Sequence, residues 1–356
     1  MKGEARDFTY QAQPMRVLFR SGAVPDAVPD EVALLGLRRV LVLCDDHGLD
    51  TARAVAASLG DACAGLHAGA VTHVPVEVAD LAVEAAREAR ADGCVAVGGG
   101  SVTGLAKAVA LRTGLPIVAV PTTYAGSEMT PVWGLTEGAV KRTGRDPKVL
   151  PRSVVYDPLL TLTMPPVGSA TSGMNAIAHA VEALYAPDST PIVSLMAEEG
   201  VRALAAALPE IVADPSGHDA RSRALYGAWL CGACLGATTM GLHHKLCHVL
   251  GGTFDLPHAE THAVVLPYVL AFNAPAIPEA LAGLRRALDV PDPVRELREL
   301  GERLGIPRSL ADLGLTAADV DRAVDVALGA ISAYGTPVAR RATRRATSAN
   351  AGAAGE

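Results

Sequence analysis

The chain has 356 residues and half of them are hydrophobic, so it is long enough for two domains and can bury a sizeable core. Its formal net charge of −7 argues against a general nucleic-acid binder, because such proteins carry a basic stripe. The one dense basic cluster, Arg340, Arg341, Arg344 and Arg345, lies near the C-terminus and is typical of a solvated tail.

The sequence shows no sign of export or of membrane insertion. Residues 1–14 are polar and charged and lack the apolar stretch of a signal peptide. No apolar run reaches the roughly 18 residues of a membrane span without a charge, a proline or a glycine. Cys231 and Cys234 form a pair on an apolar stretch, and we interpret them as buried thiols because no second pair completes a metal site. We therefore expect reduced cysteines and a cytoplasmic protein without a membrane partner.

Short β-rich runs alternate with helical runs through the first part of the chain. The expected strands are Val40–Cys44, Cys94–Val97 and Ile117–Val120, and the expected helices are Asp50–Leu59, Val76–Arg90 and Val102–Leu111. This alternation predicts a parallel sheet with helices on both faces. An α/β domain is therefore expected over residues 1–157.

The sequence pattern changes at Asp157. Long runs rich in alanine and leucine predict helices at Ser172–Tyr185, Pro191–Leu208 and Arg221–Leu235. We expect an all-helical domain over residues 158–338 and a disordered tail over 339–356, which is rich in arginine, alanine and glycine. The cleft between two such domains is the usual place for a ligand.

A glycine-rich turn follows the second expected strand. Gly98, Gly99, Gly100 and Ser101 lead directly into a helix. Glycine lets the backbone approach a ligand closely, and a helix N-terminus offers unpaired N–H groups and partial positive charge, which suit a pyrophosphate. Ser101 is placed to cap the helix and contact the phosphate. The turn departs from the usual G-x-G-x-x-G pattern, so an ordinary strand-to-helix turn is the alternative.

Two further loops follow strands at the same edge of the expected sheet. Asp45 is placed to accept the hydroxyls of an adenosine ribose and to repel a 2′-phosphate, which favours NADH while leaving NADPH open. Thr122, Thr123 and Ser127 are placed to hold a nicotinamide ribose or a phosphate. The alternative for both loops is that they are plain polar loops.

Five of the ten histidines lie between His243 and His262. His244 and His248 are four residues apart, so on a helix they share one face. Two glycines at 251 and 252 are expected to end this helix, and His258 opens the next segment. This density of imidazoles indicates a site, although a single histidine on an apolar helix is usually a core residue.

Asn175 and His179 form a second polar pair, also four residues apart, on an apolar helical stretch. Two helices that each present such a pair to a common cleft are typical of a site. Imidazoles suit general acid–base chemistry near neutral pH, and they suit metal binding.

Together these motifs resemble those of the iron-containing alcohol dehydrogenases over about residues 15–335. The resemblance rests on the glycine turn, the Pro-Thr-Thr loop at 121–123, the stretch Gly173–Glu182 and the spacing of His244, His248 and His258. Within that family the maleylacetate reductases are the most similar, through Lys141–Pro147, Thr171–His179 and Gly241–His248. The resemblance implies a dehydroquinate synthase-like fold, in which a dinucleotide-binding α/β domain precedes a helical domain. It also implies a homodimer.

The resemblance further implies reduction of the C=C bond of maleylacetate to 3-oxoadipate by NADH or NADPH, a step in the degradation of aromatic rings. Hydrogen-bond donors would stabilise the enolate that forms, and an acid would protonate its carbon. The residues implied in these roles, as a group not apportioned further, are His179, His244, His248 and His258, and Asn175 is a further catalytic candidate beside them. Lys245, the nearest by sequence, would hold the dicarboxylate substrate, with Arg142 and Arg145 as further candidates. The alternative for each of the three is a surface charge.

One departure concerns the metal. The ligands of the metal-dependent members map to Asn175, His179, His244 and His258, and those members carry aspartate where this chain has Asn175. A neutral amide adds no charge to the site. We therefore expect no bound metal, although three histidines alone can hold zinc. The alternatives are a metal-dependent alcohol dehydrogenase or aldehyde reductase of the same fold, and a catalytically idle NAD-binding protein.

Overall fold

The computed structural model describes residues 7–138 and 140–334, so the expectations for 339–356 and for the end of the helical domain at 338 lie outside it. Eight strands occur among these residues: β1 Arg16–Phe19, β2 Val40–Leu43, β3 Cys63–His67, β4 Gly93–Gly98, β5 Ile117–Pro121, β6 Val132–Glu137, β7 Val140–Arg145 and β8 Ser153–Tyr156. Six of them form a parallel sheet in the order β1-β8-β5-β4-β2-β3, and β6 and β7 form an antiparallel hairpin.

Four helices cover the two faces of the sheet: α1 Val24–Leu34, α2 Leu49–Leu59, α3 Val76–Glu88 and α4 Gly100–Thr113. Val40 and Val42 of β2 belong to the core that includes α1 and α2, whereas Leu41 and Leu43 belong to the core that includes α3 and α4. Successive side chains of a strand point to opposite faces, so a sheet buried on both faces needs a continuous apolar strand. The predicted parallel sheet with helices on both faces is confirmed.

The order of the strands creates a crevice at one point of the sheet. The chain passes from β2 to β3 on one side, and from β4 to β5 on the other, while β2 and β4 are neighbours. In open parallel sheets, ligands bind at the carboxyl ends of the two strands where the order reverses in this way. The loops after β2 and β4 are therefore the expected ligand-binding loops.

After the sheet the described chain is helical: α5 Pro166–Leu184, α6 Pro191–Ala213, α7 His218–Ala237, α8 Leu242–Phe254, α9 His258–Asn273, α10 Pro278–Leu288, α11 Pro293–Arg303 and α12 Val320–Tyr334. The helix α5 is buried along most of its length and packs against α6, α7 and α9. The predicted helical second part is confirmed. We keep the boundary at 157/158 as a proposal; β8 ends at Tyr156 and α5 begins at Pro166.

Among the described residues, no single helix is both long and apolar enough to cross a membrane; α7 and α8 meet that test only as a pair, and they are bent by 96°.

Several predicted details were wrong. The glycines at 251 and 252 do not end α8, which continues to Phe254 and stops where Asp255 adopts a left-handed φ of 52°. The extra turn lets Phe254 pack on the cluster that contains Leu250 and Leu256. Ser101 does not cap α4, because the helix begins at Gly100 and no side chain caps its N-terminus. Ser101 lies in the first turn of α4, beside the unpaired N–H groups of the helix.

Candidate active site

The turn between β4 and α4 has a conformation that only glycine tolerates. Gly98 has a φ of 154°, and a Cβ atom there would lie 2.4 Å from Cγ2 of Val102. The turn places the N-terminus of α4 at the carboxyl end of β4, in the crevice of the sheet. The unpaired N–H groups and the partial positive charge of that helix end suit a pyrophosphate.

Asp45 lies beside this turn. Its Oδ1 accepts a hydrogen bond from the backbone N–H of Gly48 at 2.8 Å, and a Cβ atom on Gly48 would lie 3.4 Å from the carbonyl oxygen of Val97. The loop after β2 therefore packs on the end of β4. The sequence placed Asp45 at the crevice, and the structure adds that this carboxylate also fixes the turn into α2.

The loop that follows β5 covers the glycine turn. The backbone N–H of Thr122 donates to the carbonyl of Gly98 at 3.2 Å. A Cβ atom on Gly99 would lie 2.9 Å from Cγ2 of Thr123, and one on Gly100 would lie 3.4 Å from Cβ of Ala125. Small residues in the turn thus let the two loops pack together, as the sequence predicted for one edge of the sheet.

Lys107 holds the end of this second loop and was missed in the sequence. Its ammonium lies 2.6 Å from the carbonyl of Ser127, 2.9 Å from Oγ1 of Thr130 and 2.8 Å from the carbonyl of Val132, and it also reaches Oγ of Ser127 at 3.3 Å. Burial lowers the pKa of Lys107 to about 7. A single lysine within the apolar face of α4 was the available signal.

The same loop contacts the helical part of the molecule. The carbonyl of Ala125 lies 3.2 Å from Nε2 of His179, and the N–H of Tyr124 donates to Oγ of Ser172 at 3.1 Å. Gly126 has a φ of 77°, and its Cβ position lies 3.0 Å from Cα of Gly232 in α7. One loop therefore joins the glycine turn to the histidine of α5.

A chain of hydrogen bonds runs from His179 into the protein. Asn175 Nδ2 lies 3.4 Å from Nε2 of His179, and Nδ1 of His179 lies 2.7 Å from Nε2 of His244. Nδ1 of His244 lies 2.6 Å from Oε2 of Glu182, which is 1% exposed. Glu182 was not among the predicted site residues; its signal was a lone carboxylate three residues after His179 on an apolar helix.

The other predicted histidines adjoin this chain. The ring of His262 lies 5.0 Å from that of His244 and 4.4 Å from that of His258, and His248 lies 5.8 Å from His258. Nε2 of His243 and Nδ1 of His262 are 3.1 Å apart. The structure thus brings together six imidazoles from three helices, which we call the imidazole group: His179, His243, His244, His248, His258 and His262.

Burial keeps the inner imidazoles neutral. It lowers the pKa of His179, His243 and His244 to about 3, and the neighbouring imidazoles lower these pKa values further. A neutral imidazole donates a hydrogen bond through one nitrogen and accepts through the other. These inner imidazoles can therefore take part in hydrogen bonds and relay a proton without holding charge in the resting protein.

The predicted cations occupy different places. Lys245 is half-buried on α8 beside His244, and its charge is among the causes that lower the pKa of that imidazole. Arg145 donates to the carbonyls of Gly236 and Thr238 at the end of α7, and Arg142 pairs with Glu137 at 3.0 Å on the exposed hairpin. Of the three, only Lys245 is placed with the imidazole group.

The residues at the metal-ligand positions of the family do not fit a divalent ion here. Both ring nitrogens of His244 are engaged, one by His179 and the other by Glu182. Asn175 brings an uncharged amide, and its Oδ1 is buried without a hydrogen-bond partner. An ion would have to break this hydrogen-bonded chain and would gain no carboxylate in return.

Two other groups bring three ligand atoms within 4.8 Å of one another among the described residues: His243, Cys247 and His262, and His248, His258 and His262. In the first group, burial raises the pKa of the Cys247 thiol well above its usual range, so a metal would first have to displace its proton. The second group is a set of three imidazoles of the kind that can hold zinc.

Comparisons with known proteins agree with this architecture. Residues 14–158 match the sequence model of the iron-containing alcohol dehydrogenases, and residues 169–345 match that of the C-terminal part of the same family. The chain belongs to the iron-containing alcohol dehydrogenase family and is an oxidoreductase.

Within the family, the chain is similar to enzymes of one kind. It is 55% identical to a maleylacetate reductase of Sphingobium indicum, over 90% of this chain and 91% of that protein. It is 52% identical to a maleylacetate reductase of Burkholderia cepacia, over 90% and 91%. The crystal structure of a maleylacetate reductase from Agrobacterium tumefaciens has a TM-score of 0.88 and 51% identity, and it covers 91% of this chain and 92% of its own. The predicted family, fold and enzyme class are confirmed.

Proposed function

We propose that this protein reduces the C=C bond of maleylacetate to give 3-oxoadipate, with NADH as the hydride donor. The observation that supports the proposal most directly is that one loop contacts both the glycine turn and the imidazole group. The loop that packs on the glycine turn also contacts His179 of the imidazole group, at 3.2 Å from the Ala125 carbonyl. Hydride donor and proton source would then lie on the two sides of one cleft. The similarity to maleylacetate reductases supports the choice of substrate.

The chemistry needs donors for an oxyanion and one proton. Hydride would add to the alkene carbon remote from the ketone, and negative charge would build on the ketone oxygen as an enolate. Imidazoles of His179, His248 and His258 would donate hydrogen bonds to that oxygen, and His244, whose ring nitrogens are engaged by His179 and Glu182, would hold His179 in place. One of them would then protonate the enolate carbon. Asn175 would orient His179 through its amide.

NADH is the proposed cofactor, with NADPH accepted less well. The pyrophosphate would lie on Gly98, Gly99, Gly100 and Ser101 at the N-terminus of α4. Asp45, at the neighbouring strand end, would accept the ribose hydroxyls and repel a 2′-phosphate. Thr122, Thr123 and Ser127 would contact the nicotinamide side through their loop.

The substrate carries two carboxylates, and Lys245 is the cation placed to attract them. Arg142 and Arg145 are less suited, because they lie away from the imidazole group, Arg142 on the exposed hairpin and Arg145 at the end of α7. We also propose a cytoplasmic homodimer that acts on small molecules alone. The six unpaired cysteines fit a reducing compartment, and the net charge of −7 fits the lack of a nucleic-acid partner. Light scattering on the purified protein tests the dimer.

The test of the function is the oxidation of NADH in the presence of enzymatically generated maleylacetate. We expect one NADH to be consumed for each maleylacetate and 3-oxoadipate to accumulate in equal amount. Alcohols with NAD⁺, and simple aldehydes with NADH, serve as substrate controls. Turnover of those controls without turnover of maleylacetate would contradict the proposal.

A second candidate is a metal-dependent alcohol dehydrogenase or aldehyde reductase. The observation that favours it is the three-imidazole group of His248, His258 and His262. This function predicts stoichiometric zinc or iron in the purified protein and aldehyde reduction that depends on that metal.

A further inference from the structure

The inference rests on the proposed function and concerns Lys107, a buried lysine in the middle of α4. It is 1% exposed, and Leu105 and Val109 on the same helix belong to the apolar core that includes α3 and α4. Taking a lysine side chain out of water costs free energy unless new hydrogen bonds replace those to water. Among the described residues, the hydrogen bonds of Lys107 all go to the segment 127–132, which contains the end of the loop after β5.

These contacts fix the end of that loop, which we call the joining loop (residues 122–130). The side-chain nitrogen of Lys107 lies 2.6 Å from the carbonyl oxygen of Ser127, 2.8 Å from that of Val132 and 2.9 Å from Oγ1 of Thr130. The Thr130 hydroxyl is 3.1 Å from the same Ser127 oxygen. One side chain therefore ties the last turn of the joining loop to the first residue of β6.

Lys107 holds the loop in either protonation state. Burial lowers its pKa to about 7, the charge of Glu128 opposes that shift and the charge of Arg145 adds to it. An ammonium group donates three hydrogen bonds, one for each of the three oxygens that lie within hydrogen-bond distance at the loop end. A neutral amine donates to the two backbone carbonyls, and its lone pair accepts from the Thr130 hydroxyl. The contact is therefore satisfied in both forms.

The joining loop contacts both regions of the proposed site ahead of the point where Lys107 binds it. At the start of the loop, the backbone N–H of Thr122 donates to the carbonyl of Gly98 in the glycine turn at 3.2 Å. Further along, the carbonyl oxygen of Ala125 lies 3.2 Å from Nε2 of His179. A displacement of the loop would therefore disturb the cofactor region and the imidazole group together.

The backbone of the joining loop does not fix its own turn. Gly126 lies between Ala125 and Ser127 with a φ of 77°, and glycine leaves that conformation more readily than other residues because it lacks a Cβ atom. Ser127, the first residue that Lys107 binds, is two positions after Ala125. The contact with Lys107 therefore supplies a constraint, close to Ala125, that the glycine lacks.

We propose that Lys107 is a positioning residue for the reduction: it holds the end of the joining loop, so that the loop keeps its contacts with the glycine turn and with His179. Its nitrogen is enclosed by oxygens of the loop end, so it acts through the loop and not on the substrate. Loss of this contact lowers cofactor affinity and turnover together, whereas a change in one region alone lowers mainly one of them.

The first test compares binding and turnover in Lys107→Met, which keeps a long side chain and removes every donor. We expect the Kd for NADH to rise by roughly tenfold and kcat at saturating NADH to fall by roughly ten- to a hundred-fold, because a small misplacement of site groups is costly. The matched control is Val109→Ala, which also removes buried contacts of α4 but from the apolar core. We expect Val109→Ala to lower the melting temperature and to leave both constants within a few-fold.

A lower melting temperature in Lys107→Met, with Kd and kcat per folded molecule as in the control, would show that the lysine only stabilises the fold and would overturn the proposal.

The second measurement is hydrogen exchange of the peptide that spans the joining loop, which needs neither cofactor nor substrate. We expect this peptide to exchange several-fold faster in Lys107→Met, with α5 unchanged and with no such change in Val109→Ala. Thr130→Val, which keeps the shape of the side chain and removes only the oxygen at 2.9 Å, is measured in the same way and serves alone if Lys107→Met does not fold. Unchanged exchange of the joining loop would overturn the proposal.

These measurements also separate the inference from the proposed function. Faster exchange and weaker NADH binding in the variants of a protein that fails to reduce maleylacetate would keep the role of Lys107 and remove only the proposed substrate. Conversely, unchanged exchange and NADH binding in the variants would overturn the role of Lys107 even if the unmodified protein reduces maleylacetate.

Discussion

The candidate site has two regions, the proposed cofactor region at the glycine turn and the imidazole group, and they differ in whether backbone or side chains form them. The cofactor region uses backbone: glycines at 98–100 bring the N-terminus of α4 to the crevice of the sheet. The imidazole group uses side chains from three helices, and its buried members His179 and His244 form a hydrogen-bonded chain that ends at Glu182. A backbone-built region can be recognised from a short sequence motif, whereas a side-chain-built region depends on how distant helices pack. The difference also predicts that the first region controls cofactor affinity and the second controls turnover.

The largest effect is expected from single alanine substitutions at His179, His244 and His258. Losing one preorganised donor, or the His244 ring that holds His179, should cost about 2.7–4 kcal/mol, or roughly a hundred- to a thousand-fold in kcat, because negative charge builds on the ketone oxygen only as the transition state is reached. Steady-state kinetics and thermal unfolding of the same three variants provide the measurement. Lower melting temperatures with near-normal kcat per folded molecule would show that these are only core residues.

A substitution in the cofactor region should instead weaken NADH binding. Gly98→Ala requires a positive φ and places Cβ against Val102, which together cost about 1–3 kcal/mol. We expect the Kd for NADH to rise by roughly tenfold while kcat at saturating NADH changes less. The double variant Gly98→Ala/Val102→Ala is the control, since it removes the clash and should recover part of the affinity. A decrease in kcat without a change in the Kd for NADH would contradict the assignment of cofactor affinity to the glycine turn.

Acid should destabilise the imidazole region. The pKa values of His179, His243 and His244 lie near 3 in the folded protein because the rings are buried, whereas an exposed histidine titrates near 6.5. Below about pH 6.5 the unfolded chain therefore binds protons that the folded chain does not, and stability falls as pH drops towards 3. Each such group contributes about 1.4 kcal/mol per pH unit within that window.

Denaturant unfolding at pH 7 and at pH 5.5 measures this slope. His243→Gln should reduce the pH dependence of the free energy of unfolding by the contribution of one histidine. The same change at the exposed His218 should leave that pH dependence as it is. Equal slopes in His243→Gln and the unmodified protein would contradict the assignment.

A smaller effect is expected at Asp45. Asp45→Ala should improve kcat/KM for NADPH by about fivefold, since removing one like charge near the 2′-phosphate is worth about 1 kcal/mol at a partly exposed site. The same change should lower stability slightly, because Asp45 also binds the Gly48 N–H. A strong preference of the unmodified enzyme for NADPH would mean that Asp45 does not face the ribose.

The smallest effect is expected from removing metal. Dialysis against a chelator should leave the reduction of maleylacetate unchanged, because His244 already uses both ring nitrogens and Asn175 brings no charge. Loss of activity that ferrous or zinc ion alone restores would refute this expectation and favour the second candidate function.

The sequence by itself determined the fold class and indicated the proposed cofactor region. The alternation of apolar strands and amphipathic helices, and the glycines directly after β4, are local signals whose physical meaning does not depend on distant residues. The edge strand β1 and the inner strand β8 were missed, because each has only three consecutive apolar residues, a shorter apolar run than that of β2. The cluster of histidines was also visible, and with it the existence of a second region.

Only the tertiary structure decided what the histidines contact. His179 and His244 are 65 positions apart, and Glu182 reaches His244 across the packing of α5 against the start of α8. Helical spacing places residues on a common face but does not say which face of another helix they meet. For that reason the contact of Glu182 with His244, and that of Lys107 with the loop after β5, could be located only once the helices and loops were packed together.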